Sequence, residues 1–385
     1  MLTEYIFLVF TGAALLGCLA MYGRQPLIIT YIALGALIGP HGLGLVGNLE
    51  LLDGAAEIGI IFLLFLIGLD MQPTALLAVL RKATTVTLLS SAAFFAIGAG
   101  FAWLWGFTLT ESLVIGAGMM FSSTIIGIKL LPTTVLHHRH SGELIVGLLL
   151  LQDFLAIFVL ILLLSGAGGQ LDLAALAKAA VAVPAVTIAA FLVTRYLLLP
   201  IITRFDRIQE FTFLLAIGWC MGVAELAQAL GLALEIGAFI AGITLATSPI
   251  SQYIALSLKP LRDFFLVVFF FALGAGFNFD MLGEIALPAL LLAALMLGLK
   301  PVIFSYLVRG KSATRELSWD LGFRLGQISE FSLLIAFLAF DTRLIGEPAS
   351  LLVQATAIIT FLVSSYIVVF NYPNPIAVSE RLRRD

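Results

Sequence analysis

Long apolar runs, separated by short polar segments, extend along almost the whole chain. Each run is close to the roughly 20 residues that a helix needs to cross the hydrocarbon core of a bilayer. The pattern predicts thirteen membrane-spanning helices, which we number span 1 to span 13, at residues 3–22, 27–46, 54–70, 83–105, 111–131, 143–165, 172–198, 209–230, 232–248, 262–279, 284–308, 317–340 and 349–371.

The composition supports a polytopic membrane protein built only of α-helices. Of the 385 residues, 61% are hydrophobic and 11% are charged. A soluble domain carries about 25% charged residues. The strands of an outer-membrane barrel alternate between apolar and polar residues, whereas these runs are continuously apolar. Cys18 and Cys220 lie inside apolar runs, and we interpret both as small apolar residues.

The charges between the spans alternate along the chain. Cytoplasmic loops are enriched in Lys and Arg, so the basic loops after odd-numbered spans predict an outer N-terminus, a cytoplasmic C-terminus and a cytoplasmic tail at 372–385. The basic set is Arg24, Arg81, Lys82, Arg139, Arg204, Arg207, Lys259, Arg262, Arg309, Lys311 and Arg315. The loops after even-numbered spans carry Glu50, Asp53, Glu111, Asp280 and Glu347, with Arg343 as the exception.

The spans also repeat. A shift of about 206 positions places spans 1 to 6 near spans 8 to 13, which is the signature of an internal repeat. Repeat 1 covers about 1–165, a linker helix about 172–198, and repeat 2 about 209–371. Because each repeat has an even number of spans and one span joins them, the second repeat enters the membrane from the opposite side, as in many transporters. Thirteen evenly packed spans without a repeat are the alternative.

Gln152 and Asp153 interrupt the apolar run of span 6, within Leu148–Phe158. A carboxylate at the centre of a membrane helix costs about 2.5–3.5 kcal/mol on insertion scales. Such a residue is a candidate for function, and we expect the rest of the chain to support Asp153.

Spans 5 and 12, which correspond under the repeat, both combine glycine with polar residues at the expected mid-membrane depth. Ser122, Ser123 and Thr124 follow two glycines in span 5, and Gly326, Gln327, Ser329 and Glu330 lie together in span 12. Glycine lowers the cost of leaving helical geometry, and hydroxyl groups satisfy freed backbone groups or bind a cation. We therefore predict two broken helices. A close helix contact through small residues is the alternative.

Lys300 lies inside span 11, too central for its ammonium to reach the membrane surface easily. A buried lysine needs a partner, and Glu330 or Asp153 is the expected one. The sequence leaves open whether this is a fixed ion pair or an active part of a transport cycle. Arg324 lies two turns before Glu330, towards the predicted cytoplasmic end, and Gln327 and Ser329 are expected to support the same region.

No other chemistry stands out. The glycines near Gly35 and Gly42 have no strand beside them, so they do not indicate phosphate binding. There is no zinc-ligand spacing and no Ser-His-Asp set. His137, His138 and His140 lie beside Arg139 and are interpreted as a solvated basic loop rather than a metal cluster. The sequence predicts no enzyme, no resident cofactor and no nucleic-acid partner.

Several motifs, taken in order, resemble the second branch of the monovalent cation/proton antiporter superfamily and its Kef-type potassium/proton antiporters. Lys300 also matches an intramembrane lysine of that family. The matching stretches, within residues 1–371, are Ile38–Leu43, Ala56–Gly59, Leu64–Asp70, Ser122–Thr124, Leu151–Asp153, Gly237–Gly242 and Gly326–Phe331.

The resemblance implies a sodium/proton antiporter-like fold with thirteen helices, an inverted repeat, two crossing broken helices and a homodimer. It implies an elevator-type cycle, in which a core of about 83–165 and 284–371 moves against a scaffold of about 1–70 and 209–279. Asp153 would carry cation and proton in alternation. Because relatives with two adjacent acids tend to be electrogenic, the neutral Gln152 implies an electroneutral exchange of one cation for one proton.

Kef-type proteins usually carry a cytosolic nucleotide-binding domain, whereas this sequence ends at Asp385. The expectation is either a piece of a longer chain, whose regulatory domain is missing or separate, or a membrane-only member. The expected location is the bacterial inner membrane, in contact with lipid.

The function expected from these observations is exchange of K⁺, or alternatively Na⁺, for H⁺. The alkali cation would bind the Asp153 carboxylate and the neutral oxygens of Ser122, Ser123 and Thr124, since hard cations prefer oxygen ligands. A cation channel is a second possibility and would pass current without a proton gradient. A sensor or scaffold without transport is a third, and it leaves Asp153 and the paired breaks unexplained.

Overall fold

A computed structural model describes residues 2–23, 25–46, 50–70, 73–123, 140–165, 173–205, 209–248, 250–309 and 315–372. Within these ranges the secondary structure is helical, with no strand. The α-helices are α1 (Leu2–Tyr22), α2 (Leu27–Ile38), α3 (Glu50–Asp70), α4 (Pro73–Trp105), α5 (Leu109–Met119), α6 (His140–Ser165), α7 (Leu173–Val193), α8 (Leu199–Arg204), α9 (Gln209–Ala229), α10 (Leu234–Ala246), α11 (Ser251–Ala275), α12 (Leu282–Arg309), α13 (Arg315–Arg324), α14 (Glu330–Asp341) and α15 (Glu347–Asn371).

Most of the helices lie within a few residues of the predicted spans, and the all-helical fold class is confirmed. A π-helical turn at Thr194–Leu198 joins α7 to α8, so these two helices form one rod. By length and composition, six helical segments among the described residues can cross a membrane on their own. The second part of span 5 lies outside the described residues, so the count of thirteen spans stays a prediction.

Two predicted boundaries are wrong by about three turns of helix. Span 4 was expected to begin at 83, yet α4 begins at Pro73; span 10 was expected to begin at 262, yet α11 begins at Ser251. Arg81, Lys82, Lys259 and Arg262 therefore lie in helices rather than loops. The physical reason is that hydropathy detects only the apolar part of a helix, whereas the helix itself continues into its polar end.

Span 2 is shorter than predicted. It was expected to reach residue 46, but α2 ends at Ile38. The chain from Gly39 to Val46 is held by backbone hydrogen bonds back to the end of α2, including one from Val46 N to Ile38 O at 3.0 Å. These apolar residues therefore form a folded turn rather than more helix.

The helices pack mainly as two groups. One group contains α4, α5, α6 and α12 to α15, and the other contains α2, α3 and α9 to α11. Helix α1 lies against α2 and α11, and α7 lies against α9 and α10. The division of the chain into a core and a scaffold stays a prediction.

Helices α3 and α10 of the second group touch through their backbones. Gly68 and Gly242 face each other, and a Cβ atom added to Gly242 would overlap the carbonyl oxygen of Phe65. Close approach of this kind lets two helix backbones pack directly, as small residues do in membrane helices. This part of the molecule is consequently packed without room for a methyl group.

Candidate functional site

The helix of span 5 ends near the middle of the bundle. Helix α5 stops at Met119, and the chain continues without helical structure through Ser123. We call residues 120–123 break 1. Thr124, a predicted ligand, lies outside the described residues.

The helix of span 12 is interrupted, as predicted. Helix α13 ends at Arg324 and α14 begins at Glu330, and we call the residues between them, 325–329, break 2. Ser329 caps the start of α14, because its side chain accepts a hydrogen bond from Phe331 N at 3.1 Å. A serine at this position satisfies one of the free N–H groups that begin every helix. The structure thus shows Ser329 as a helix cap, and its support of the site stays a prediction.

Hydrogen bonds join the two breaks where they cross. The Ser122 hydroxyl donates to the Leu325 carbonyl at 2.8 Å. The Gln327 side-chain nitrogen donates to the Ser123 carbonyl at 3.3 Å. The structure therefore brings together residues that the sequence separates by about two hundred positions, through carbonyl groups that helical bonding would otherwise occupy.

The ammonium of Lys300 lies between the breaks. Its Nζ is 2.6 Å from the Phe121 carbonyl oxygen, 3.0 Å from the Gln327 carbonyl oxygen and 3.4 Å from the Ser122 hydroxyl. It also lies 5.0 Å from the centroid of the Phe94 ring. An ammonium has three donors, so these three oxygens can use all of them.

The expected ion pair of Lys300 with Glu330 or Asp153 is not observed: across the described residues, no carboxylate forms an ion pair with this ammonium. Its partners are carbonyl oxygens just beyond the C-terminal ends of α5 and α13. Helix C-termini carry partial negative charge, so they can balance a cation without a carboxylate. Glu330 instead stands in the first turn of α14, where the helix dipole favours an anion.

Gln152 fixes the geometry of break 1. Its side-chain oxygen accepts a hydrogen bond from Ser122 N at 3.1 Å, and its side-chain nitrogen donates to the Met120 carbonyl at 3.3 Å. Gln152 is fully buried, and the adjacent Asp153 is 8% exposed. The sequence-predicted carboxylate therefore sits on α6 next to the residue that binds the break.

Arg324, another predicted supporting residue, forms an ion pair within its own helix. Its Nε lies 2.8 Å from the Asp320 carboxylate, and the Arg324 side chain is 1% exposed. It occupies the last turn of α13, where a cation is favoured by the helix dipole. Arg324 and Lys300 thus place two basic side chains at the interrupted helices.

Three residues that reasoning from the sequence missed also contact the site. Phe94 lies against Lys300, Thr360 accepts a hydrogen bond from Ile328 N at 3.2 Å, and Ser364 donates one to the Gln327 side-chain oxygen at 3.1 Å. Thr356, Thr360 and Ser364 follow each other at intervals of four residues in an apolar helix. That spacing places the three hydroxyl residues on one face of the helix, and it is the sequence signal that could have identified Thr360 and Ser364.

Carboxylates also gather away from the crossing. Glu235 is buried at the start of α10, and the carboxyl groups nearest to it include those of Glu57 and Asp341. These acids come from both helix groups. Among the described residues, no group of three or more His, Cys, Asp or Glu side chains could hold a metal ion.

The apolar helices and their interrupted pair define an integral membrane protein with the fold of known exchangers. The chain resembles in structure the sodium proton antiporter MjNhaP1 from Methanocaldococcus jannaschii, with a TM-score of 0.72 over 94% of each chain and 18% sequence identity. At this identity the likeness concerns the fold.

A family model described as the transmembrane part of sodium/hydrogen exchangers matches residues 6–370. The chain therefore belongs to the sodium/hydrogen exchanger family, whose members are transporters and not enzymes. This match confirms the expected cation/proton antiporter membership.

Two relatives are described as potassium efflux proteins. The chain is 30% identical to K(+) efflux antiporter 4 of Arabidopsis thaliana, over 86% of this chain and 57% of the relative. It is 29% identical to the glutathione-regulated potassium-efflux system protein KefC of Klebsiella pneumoniae, over 86% of this chain and 54% of the relative. The chain thus spans little more than half the length of either one. These relatives confirm the Kef-type resemblance.

Proposed function

We propose that this chain exchanges a monovalent cation for a proton across a membrane, with Asp153 as the carrier of both. The observation that carries the proposal is the position of Asp153. It is a nearly buried carboxylate, one residue from Gln152, which binds the backbone of break 1. A carboxylate so placed in a membrane helix is a site for an ion or proton by default.

Competition for one negative charge accounts for the coupling. A proton and a cation cannot both neutralise the same carboxylate, so binding of one releases the other. Neutralisation also lowers the cost of carrying the site through the apolar interior, because an unpaired charge there is expensive. If the carrier switches between the two sides of the membrane only while its charge is neutralised, neither ion can leak across alone.

The ligands beside Asp153 are expected to be neutral oxygens. The Ser122 hydroxyl is already engaged, since it donates to Leu325 O and lies 3.4 Å from the Lys300 ammonium. Ser123 and Thr124 are the other two hydroxyl ligands of the predicted set. Hydroxyl and carbonyl oxygens around one carboxylate suit an alkali cation.

Potassium is the favoured cation. Both relatives reported above are described as potassium efflux proteins, whereas the sodium proton antiporter resembles this chain in fold. The neutral Gln152 beside a single Asp153 supports an electroneutral exchange of one cation for one proton. Sodium remains the alternative ion for the experiment described below.

The two helix groups support an elevator-type cycle. The group that contains Asp153 and both breaks would move as the core, and the group packed through Gly68 and Gly242 would stay as the scaffold. The proposal includes a homodimer in the bacterial inner membrane, with the N-terminus outside and the C-terminus in the cytoplasm, as the alternation of basic loops favours.

Reconstitution into proteoliposomes tests the function directly. A pH-sensitive dye trapped inside the vesicles should respond when potassium, sodium, lithium or rubidium is added outside, and the response should saturate. A channel would instead give current without a proton gradient. Absence of any dye response from well-folded protein would contradict the proposed exchange.

A further inference from the structure

The two breaks are held in the same way, at corresponding residues of the two repeats. In repeat 1, Ser122 N donates to the side-chain oxygen of Gln152 at 3.1 Å. In repeat 2, Ile328 N donates to the side-chain oxygen of Thr360 at 3.2 Å. The shift of about 206 positions that relates the repeats carries Ser122 onto Ile328 and Gln152 to within two residues of Thr360.

The hydrogen bonds of Thr360 fit this role. Its hydroxyl donates to the Ala357 carbonyl at 2.9 Å, which leaves the oxygen free to accept from Ile328 N. Thr360 is fully buried, and water cannot replace it as a partner for Ile328. A buried N–H group that loses its acceptor pays the full cost of desolvation.

One turn further along α15, Ser364 extends the contact to break 1. Its hydroxyl donates to the side-chain oxygen of Gln327 at 3.1 Å, and the side-chain nitrogen of Gln327 donates to the Ser123 carbonyl at 3.3 Å. Because the side-chain oxygen of Gln327 is bound to Ser364, the side-chain nitrogen is the end of the amide that faces Ser123. Helix α15 therefore reaches the predicted ligand segment through one glutamine.

The repeats differ in charge at the next position. The same shift that carries Ser122 onto Ile328 carries Asp153 onto Ile359, a partly buried residue of the apolar core. Helix α15 thus offers the hydrogen bond that α6 offers, but no carboxylate beside it. This division suits a helix that positions the site without binding the ion itself.

We propose that Thr360 and Ser364 are positioning residues that hold break 2, and through Gln327 the Ser123 carbonyl, in the geometry that binds the cation. The inference rests on the proposed function for its effect on transport. The clamp itself, defined as the Ile328–Thr360 and Gln327–Ser364 hydrogen bonds, does not depend on that function.

Helix α15 supplies matched controls for both residues. Thr356 is buried on the same face as Thr360, but its hydroxyl bonds to Leu352 O within its own helix at 2.7 Å. Ser365 is buried next to Ser364, and its hydroxyl has no hydrogen-bond partner in the described part of the chain. Thr360→Val is compared with Thr356→Val, and Ser364→Ala with Ser365→Ala. Thr360→Ser keeps the hydroxyl group and should therefore behave like the unsubstituted protein.

Two measurements separate the clamp from its consequence. Hydrogen exchange followed by mass spectrometry should show faster exchange of the peptide containing Ile328 in Thr360→Val and not in Thr356→Val. In proteoliposomes, the KM for the cation should rise by about tenfold in Thr360→Val, the change that corresponds to roughly one lost buried hydrogen bond, while the maximal rate changes less. Ser364→Ala should raise KM as well, and Ser365→Ala should not.

Each outcome decides the inference. Equal exchange of the Ile328 peptide in the two valine variants would overturn the clamp. Faster exchange with an unchanged KM would overturn the positioning role. If Thr360→Val does not fold, Ser364→Ala against Ser365→Ala decides by the same two measurements. Unsubstituted protein that transports nothing would contradict the proposed function, while hydrogen exchange would still decide the clamp.

Discussion

The Lys300 ammonium lies 2.6 Å from the carbonyl oxygen of Phe121, a residue of break 1 just beyond α5. The same nitrogen lies 3.0 Å from the Gln327 carbonyl in break 2. A charge from a third helix therefore bridges two helix ends whose carbonyl groups have lost their usual donors. This arrangement suits a fixed counter-charge for the crossing, which is one of the two roles expected for the lysine.

Replacement of Lys300 by Met should destabilise the protein and abolish exchange. The Phe121 and Gln327 carbonyls would lose a charged donor, a contribution of about 1.5–3 kcal/mol for each such bond. Thermal unfolding in detergent, together with dye response in proteoliposomes, measures both effects. If stability and exchange are both unchanged, neither the structural nor the active role of Lys300 holds.

Replacement of Lys300 by Arg separates the two roles. Arginine keeps the positive charge and five donors but does not release its proton. A fixed counter-charge should therefore tolerate arginine, with exchange partly kept. Complete loss of exchange in Lys300→Arg, with normal thermal stability, would indicate that the lysine must release its proton during the cycle.

Replacement of Asp153 by Asn should abolish exchange, because the amide cannot alternate between proton and cation. We expect the rate of exchange to fall at least about a hundredfold, which is the usual effect of losing an essential proton-transfer group. Asp263→Asn is the control, since Asp263 is a 55% exposed carboxylate paired with Arg262. Exchange at the unsubstituted rate by Asp153→Asn would remove Asp153 from the mechanism.

The charge balance of the cycle should depend on Gln152. Unsubstituted protein should exchange at a rate that an imposed membrane potential does not change. Gln152→Glu keeps an acceptor for Ser122 N but adds a second acid beside Asp153, and exchange should then respond to the potential. Gln152→Leu loses the bond without adding charge and should be slower but unresponsive. A Gln152→Glu variant as indifferent to potential as the unsubstituted protein would refute this role.

The backbone contact of α3 with α10 should tolerate no side chain. Gly242→Ala places a methyl group against Phe65 O and should lower the free energy of unfolding by about 1–3 kcal/mol, the usual cost of overpacking. Gly222→Ala is the control, because a Cβ atom there meets no atom within 4 Å. In thermal unfolding, Gly242→Ala should unfold at a lower temperature than Gly222→Ala. The reverse order would contradict the contact.

Reasoning from the sequence found the parts of the site that disturb an apolar pattern. Asp153, Lys300 and the polar cluster around Gln327 each stand out in a membrane span because each carries a cost there. The alignment of the repeats also brought Ser123 and Ser329 to corresponding breaks. These signals are strong because few residues in such a chain are polar.

Features that follow the apolar pattern could not be found in that way. Phe94 is one of many aromatic residues, and its contact with Lys300 depends on how α4 packs. Thr360 and Ser364 are hydroxyl residues that a helix can satisfy within itself, so their partners in break 2 appear only in three dimensions. The acceptors of Lys300 are backbone carbonyls, which every residue has, and for that reason a carboxylate was expected instead.

Ile359 has a consequence for the steepest cation gradient that the proposed exchanger could build. Repeat 2 has an apolar residue where repeat 1 has Asp153, so under the proposed function it adds no second carrier carboxylate at the equivalent position. Under one-for-one exchange, transport stops when the cation ratio across the membrane equals the proton ratio. Each unit of pH difference then supplies about 1.36 kcal/mol and sustains at most about a tenfold cation gradient. An isoleucine in the second repeat would thereby limit the steepest gradient that the protein can build.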